Sequence, residues 1–287
     1  MKKQEYFDMG ISAWLSFKQI ESILCKILEL RPTQLFSKSD ISAAYIYEAQ
    51  KLFFDVASWV PEEYSTENAN FYGRDFFVDE RVLIPRNDTE ILVRQSLLKL
   101  NTGIDVASTV YADIWTWSGC IAISILQEML PMKFHSSFAF DISASAREVA
   151  TINKATYELE SLNIEESNLL KYFFNSSNIS KRNLFLTANL PYIKDGDVEN
   201  MESSVIEYEP DGALYGWRDT GFELYEKLIV QCFQLKELQK IKNIYLCIEI
   251  GFDQYDVSRQ YLEDMWLSFE YFQDSASIQR VIYISWF

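Results

Sequence analysis

The chain has 287 residues, 48% apolar and 24% charged, which fits a globular protein with a real core and excludes disordered, collagen-like and disulfide-scaffold classes. Lysine and arginine number 26 against 42 acidic residues, and the net charge of −16 repels phosphates and argues against a nucleic-acid partner. A single histidine, His135, nearly removes histidine triads and histidine-rich metal sites and reads as a strand-edge surface residue. Residues 1 to about 70 read as helical. Between Leu15 and Leu24 the apolar positions recur every three or four residues. A second helix is predicted from Asp40, as N-cap, to about Ala57, with Arg31-Pro32 between the two. Residues 71–78 and 81–84 read as short strands joined by Asp79-Glu80.

From about residue 86 strands and helices alternate. An amphipathic helix is predicted over 88–100, then strand 109–114, helix 119–130, strand 137–141 and a helix from Ser143 to about Glu160. Strand 183–188, helix 219–238, strand 244–249, helix 254–265 and strands 267–273 and 279–285 complete the series. Such alternation predicts a parallel α/β sheet, and the short link between the last two strands makes them an antiparallel edge pair. There is no internal repeat. No run of 18 apolar residues exists, so no membrane span is expected, and MKKQEYFDMG lacks the apolar segment of a signal peptide. Cys25, Cys120, Cys232 and Cys247 lie far apart with no CxxC, which suits reduced thiols and a cytoplasmic protein.

In open α/β sheets ligands bind beyond the C-terminal strand ends. There the sequence has Asp113-Ile114-Trp115-Thr116-Trp117-Ser118-Gly119, Asp141-Ile142-Ser143 and Asn189-Leu190-Pro191-Tyr192. Asp141 suits a ribose-binding acid and a helix N-cap equally well. In the third segment proline fixes the backbone, asparagine offers both an acceptor and a donor, and tyrosine offers a flat wall. Together they can grip a planar amide or amino group, although a plain turn after a strand has the same composition.

These motifs, in this order, resemble the class I S-adenosylmethionine-dependent methyltransferases. The flanks narrow the resemblance. Phe71-Tyr72-Gly73, Ile84-Pro85-Arg86-Asn87-Asp88-Thr89-Glu90, Tyr208-Glu209-Pro210, Ala213-Leu214-Tyr215-Gly216 and Glu249-Ile250-Gly251-Phe252 are similar to the peptide chain release factor glutamine N5-methyltransferases. The likeness spans nearly the whole chain. It implies a seven-stranded Rossmann-like methyltransferase sheet with an antiparallel C-terminal edge, a helical substrate-recognition domain (1–70), a β-hairpin linker (71–85) and a methyltransferase domain (86–287).

By the same resemblance, Asn189, Pro191 and Tyr192 are the catalytic positions, with a backbone carbonyl of Leu190-Pro191 helping Asn189 accept the two amide hydrogens. Asp113, Trp115, Thr116, Trp117, Ser118 and Gly119 would hold the amino-acid end of S-adenosylmethionine, Asp141 its ribose, and Asn168 and Leu169 its adenine, with Asn189 beside them. Leu190, Arg86 and Glu90 would line the substrate cleft, Thr89 with them, unless Thr89 and Glu90 serve a helix start. The implied partner is a peptide chain release factor, acted on by a monomer with no direct nucleic acid and no membrane. The rivals are an adenine-N6 methyltransferase acting on nucleic acid and a cofactor-less pseudoenzyme.

Two departures from the family pattern stand out. Leu190 replaces the first proline of Asn-Pro-Pro-Tyr. More seriously, Trp115 and Trp117 stand where the pattern has glycines that let the backbone approach the cofactor. Trp59, Trp217 and Trp266 also fall where glycine is expected. Glycine is scarce, 9 residues or about 3% against a usual ~7%, while tryptophan numbers 7. Both oddities are explained if the source organism reads UGA as glycine and this chain was translated with UGA as tryptophan.

Overall fold

Strands that are mostly apolar and buried on both faces form the centre of the sheet. A computed structural model describes residues 1–130, 132–176, 179–194, 208–210 and 220–286. The helical N-terminus comprises α1 (Lys3–Ser12), α2 (Phe17–Ile27), α3 (Pro32–Ser37), α4 (Ile46–Ala57) and the short α5 (Glu62–Ser65). Tyr6, Ile20, Ile23, Leu24, Ala49 and Phe53 are the heart of its own apolar core. Ser16 caps α2 by a reciprocal exchange with Gln19. Asp40 is not a cap: a 3-10 turn over Ala43–Tyr45 precedes α4, and it is the Ser42 hydroxyl that accepts the Ala44 N–H.

The hairpin is displaced from its expected place. Its strands are β1 (Ala69–Phe71) and β2 (Arg74–Phe76), and Tyr72 and Gly73 form the turn with φ of 52° and 70°. Two positive φ angles match the twist of a two-residue hairpin. Residues 81–84 form no strand. There Asp79 and Arg81 hold each other through side-chain hydrogen bonds, and Val82 and Ile84 turn inward.

The main sheet runs in the order β5 (Leu162–Glu166), β4 (Ser136–Asp141), β3 (Thr109–Ile114), β6 (Asn183–Ala188), β7 (Ile244–Glu249), β9 (Gln279–Trp286), β8 (Ser268–Gln273). The first five are parallel and the last two antiparallel, as the sequence predicts. β3, β6 and β7 are buried throughout, which is why their sequences are mostly apolar on both faces. β5, with the sequence Leu-Asn-Ile-Glu-Glu, was not among the predicted strands. It is an edge strand paired to β4 alone, and half-polar edges lack that signal.

Alternate residues of β3 feed two cores. Val110, Ala112 and Ile114 meet α10 (Glu223–Gln239) on one face, and Tyr111 meets α6 (Glu90–Leu100) and α7 (Cys120–Glu128) on the other. α8 (Ala144–Thr156), α9 (Lys171–Phe174) and α11 (Tyr255–Asp264) follow β4, β5 and β7. Among the described residues no helix is long and apolar enough to cross a membrane. His135 is exposed, and Cys120, Cys232 and Cys247 are buried free thiols.

Candidate active site

β4 lies to one side of β3, and β6 and β7 to the other, so successive crossovers leave β3 in opposite directions. This switch point opens a crevice at the C-terminal strand ends. Asp113, Asp141, Asn189 and Glu249 all stand there, at the ends of β3, β4, β6 and β7. The β3–β6 register sets Asp113 opposite Thr187. The Thr187 hydroxyl donates to Asp113 Oδ1 and the Thr116 hydroxyl to Oδ2, each at 2.6 Å. Burial pushes the Asp113 carboxyl up to about 7. Both of its oxygens are therefore committed to holding the loop against the sheet.

The loop 115–119 folds over the end of β4. Trp115 N and Thr116 N donate to the Phe140 carbonyl at 2.8 and 2.9 Å. Asp141 accepts from Trp117 N at 3.0 Å and from Ser143 N at 2.9 Å, while Ser143 itself caps α8. The Asp141 side of the expected ribose site is only 1% exposed, and burial raises its carboxyl to about 6. Ser118 is buried, and Gly119 begins α7 at a φ of 80°. Ser167 N reaches the Asp141 carbonyl, which brings Asn168 (exposed) and Leu169 (buried, φ of 56°) beside this corner.

The Asn189–Tyr192 segment is fixed from three sides. Asn189 is 7% exposed, and its Nδ2 donates to Thr89 Oγ1 at 3.2 Å. Burial pushes the neighbouring Glu249 carboxyl up to about 7. With Nδ2 turned to Thr89, Asn189 keeps its Oδ1 as an acceptor. Leu190 N donates to the Tyr225 hydroxyl at 3.0 Å, and that hydroxyl donates to the Glu249 carbonyl. A proline at 190 has no N–H to give, so leucine here adds an anchor that the family's usual residue lacks. The buried Pro191 follows, and Gln254 Nε2 donates to the Tyr192 and Thr220 carbonyls at 3.4 and 3.1 Å. Gly221, at a φ of 71°, passes so close that a Cβ there would lie 2.1 Å from the Tyr192 carbonyl oxygen. Arg86 pairs with the buried Glu209, whereas Glu90 accepts the Tyr72 N–H at 2.8 Å and so ties α6 to the hairpin.

A release factor glutamine methyltransferase of Chlorobaculum tepidum is 32% identical over 223 residues, covering 77% of this chain and 72% of that protein. One from Clostridium acetobutylicum is 32% identical over 242 residues, covering 81% and 79%. The chain belongs to the release factor glutamine methyltransferase family. No protein-family model matches it. A solved structure of a human methyltransferase 10 domain containing protein superposes with a TM-score of 0.51 over 75% of this chain and 88% of that one, at 15% identity, and so shares the fold.

The loop expected to hold the cofactor carries two indoles. Trp117 is buried among Tyr64, Val82, Ile84, Ala146 and Val149, with its indole nitrogen unpartnered, and Trp115 packs edge-on to it at 6.2 Å between centroids. Two indoles and a covered Asp141 do not fit a nucleoside cofactor laid along this loop. Thr187, Tyr225 and Gln254 escaped sequence reasoning. Each acts on a partner 34 to 74 residues away, and no local motif marks such a pair. Trp217 and the 213–216 motif lie outside the described residues.

Proposed function

We propose that this chain acts on the side-chain amide nitrogen of a glutamine in a peptide chain release factor, and that with glycine at positions 115 and 117 it takes the methyl group from S-adenosylmethionine. The observation that carries this reading is the restrained Asn189–Tyr192 segment at the switch point, in a chain of this family. An amide nitrogen is a poor nucleophile because its lone pair is delocalised into the carbonyl. No histidine stands nearby to act as a base. What the segment offers is position: Asn189 Oδ1 and a carbonyl of Leu190-Pro191 accept the two amide hydrogens, and Tyr192 walls the side chain. Thr89, Glu249, Tyr225 and Gln254 are positioning residues that hold this arrangement still.

The acceptor protein is assigned to the helical residues 1–70. A cleft of about 250 Å³ lies between them and residues of the linker and the methyltransferase domain, lined by Gln19, Val56, Trp59, Ile84, Arg86 and Glu209. Residues 86–287 are assigned to methyl transfer. The donor-binding loop does not fit S-adenosylmethionine while it carries Trp115 and Trp117, so the assay uses the chain with glycine at both positions. Labelled methyl groups are expected on a release factor glutamine and not on ribosomal RNA, and Asn189→Ala is expected to abolish transfer without changing the fold. Label on RNA alone, or normal turnover by Asn189→Ala, overturns the assignment.

A further inference from the structure

Among the described tryptophans, Trp14, Trp59, Trp115, Trp117 and Trp266 have positive φ, between 52° and 70°, and Trp286 alone does not. A bulky aromatic residue has no local hydrogen bond to offset that conformation, which glycine adopts freely. Left-handed residues of other types occur here too, among them Glu29, Glu158 and Lys240, so the conformation alone identifies nothing. What is telling is that one rare residue type is concentrated in it.

Three of the five share one structural role. Trp14, Trp59 and Trp266 each follow the C-cap residue of a helix, Ala13 of α1, Ser58 of α4 and Met265 of α11. In each case two hydrogen bonds close the helix in the same pattern. Trp14 N meets the Ile11 carbonyl and Leu15 N that of Gly10; Trp59 N meets Val56 and Val60 N meets Asp55; Trp266 N meets Glu263 and Leu267 N meets Leu262. This is the helix ending in which glycine is the usual residue. The indoles are 96%, 79% and 94% exposed, so no packing favours them. The other two occupy the loop over β4, where the backbone must admit a ligand. Trp286 behaves as a true tryptophan: it is buried in β9 opposite Ile244 and meets Phe233 edge-on at 5.7 Å.

We infer that the native protein carries glycine at positions 14, 59, 115, 117 and 266, and tryptophan at 286. Trp14 enters this set through its backbone alone. For positions 14, 59 and 266 the inference is independent of the proposed reaction; for 115 and 117 it deepens that reading, because it restores the donor loop. A single exchange repeated at every site points to one codon decoded differently, not to separate mutations.

Peptide mass spectrometry of the protein isolated from its source cells, read beside the gene, tests this directly. Glycine is expected at the five positions, encoded by UGA, with tryptophan at 286 encoded by UGG. Tryptophan in the native peptides at 115 and 117 overturns the inference. Calorimetry with S-adenosylmethionine then compares the recombinant chain as written with one carrying Trp→Gly at all five positions, and binding is expected only for the second. Glycine in the native peptides without binding by the substituted chain leaves this inference standing and brings down the donor assignment instead.

Discussion

Trp266 follows α11 and is 94% exposed, so replacing it removes almost no buried surface. Its φ of 53° is the only strained feature, since the closing bond from Leu267 N to the Leu262 carbonyl runs through the backbone, and Leu262 and Leu267 pack in the same core whatever stands between them. A residue with a Cβ loses about 1–2 kcal/mol in the left-handed region. Glycine removes that cost but gains unfolded-state entropy worth about 0.5–1 kcal/mol. Trp266→Gly should therefore stabilise by about 0.5–1 kcal/mol, and Trp266→Ala, which keeps the Cβ, by about zero. With Trp14→Gly and Trp59→Gly added, distant sites should sum to about 2 kcal/mol. Urea unfolding reads this as a rise in midpoint at constant slope. If Trp266→Ala stabilises as much as Trp266→Gly, the exposed ring and not the backbone is responsible, and the reasoning fails.

Two further outcomes follow from the buried polar groups. Tyr225→Phe leaves the Leu190 N–H without its acceptor and the Glu249 carbonyl without its donor, and should cost about 1–3 kcal/mol in urea unfolding and slow methyl transfer by the glycine-loop chain; a loss below about 0.5 kcal/mol means that water replaces the hydroxyl. Burial raises Asp113 and Glu249 to about 7 and Asp141 to about 6, so between the ordinary carboxylate range and pH 7 the folded chain holds more protons than the unfolded one. Their contribution to stability is full below the unfolded values and is lost as pH rises through about 6–7, so the urea midpoint should fall from pH 5 to pH 8. Asp113→Asn should flatten that fall, and an equal slope in the variant removes Asp113 from the account.

The central strands were legible because burial on both faces leaves an apolar run that nothing else produces. β3, β6 and β7 match their expected limits residue for residue. The motifs at the strand ends were legible as well, since they follow directly from where each strand stops. β5 was hidden because an edge strand needs apolar side chains only where it meets a helix. The hairpin turn was misplaced because Tyr72 is not a residue that announces a positive φ, while Asp79-Glu80 does open a turn, closed by Val82 N on the Asp79 carbonyl, but no strand follows it.

The sequence by itself determined six of the seven strands and the order of the motifs, because these depend on local composition and spacing, and the motifs in turn carried the resemblance to the family. It also exposed the odd exchange of glycine for tryptophan at the cofactor loop. Only the tertiary structure decided which groups restrain Asn189 and Leu190, because Thr89, Tyr225 and Glu249 reach them across the fold. It alone showed that Asp113 is spent on Thr116 and Thr187, and that Asp141 is covered. The tryptophans needed both views: composition gave the anomaly, and backbone angles gave its physical meaning, adding Trp14 and setting Trp286 apart. A residue's identity is written in the chain, but the conformation it must tolerate is fixed by the helices and strands that meet around it.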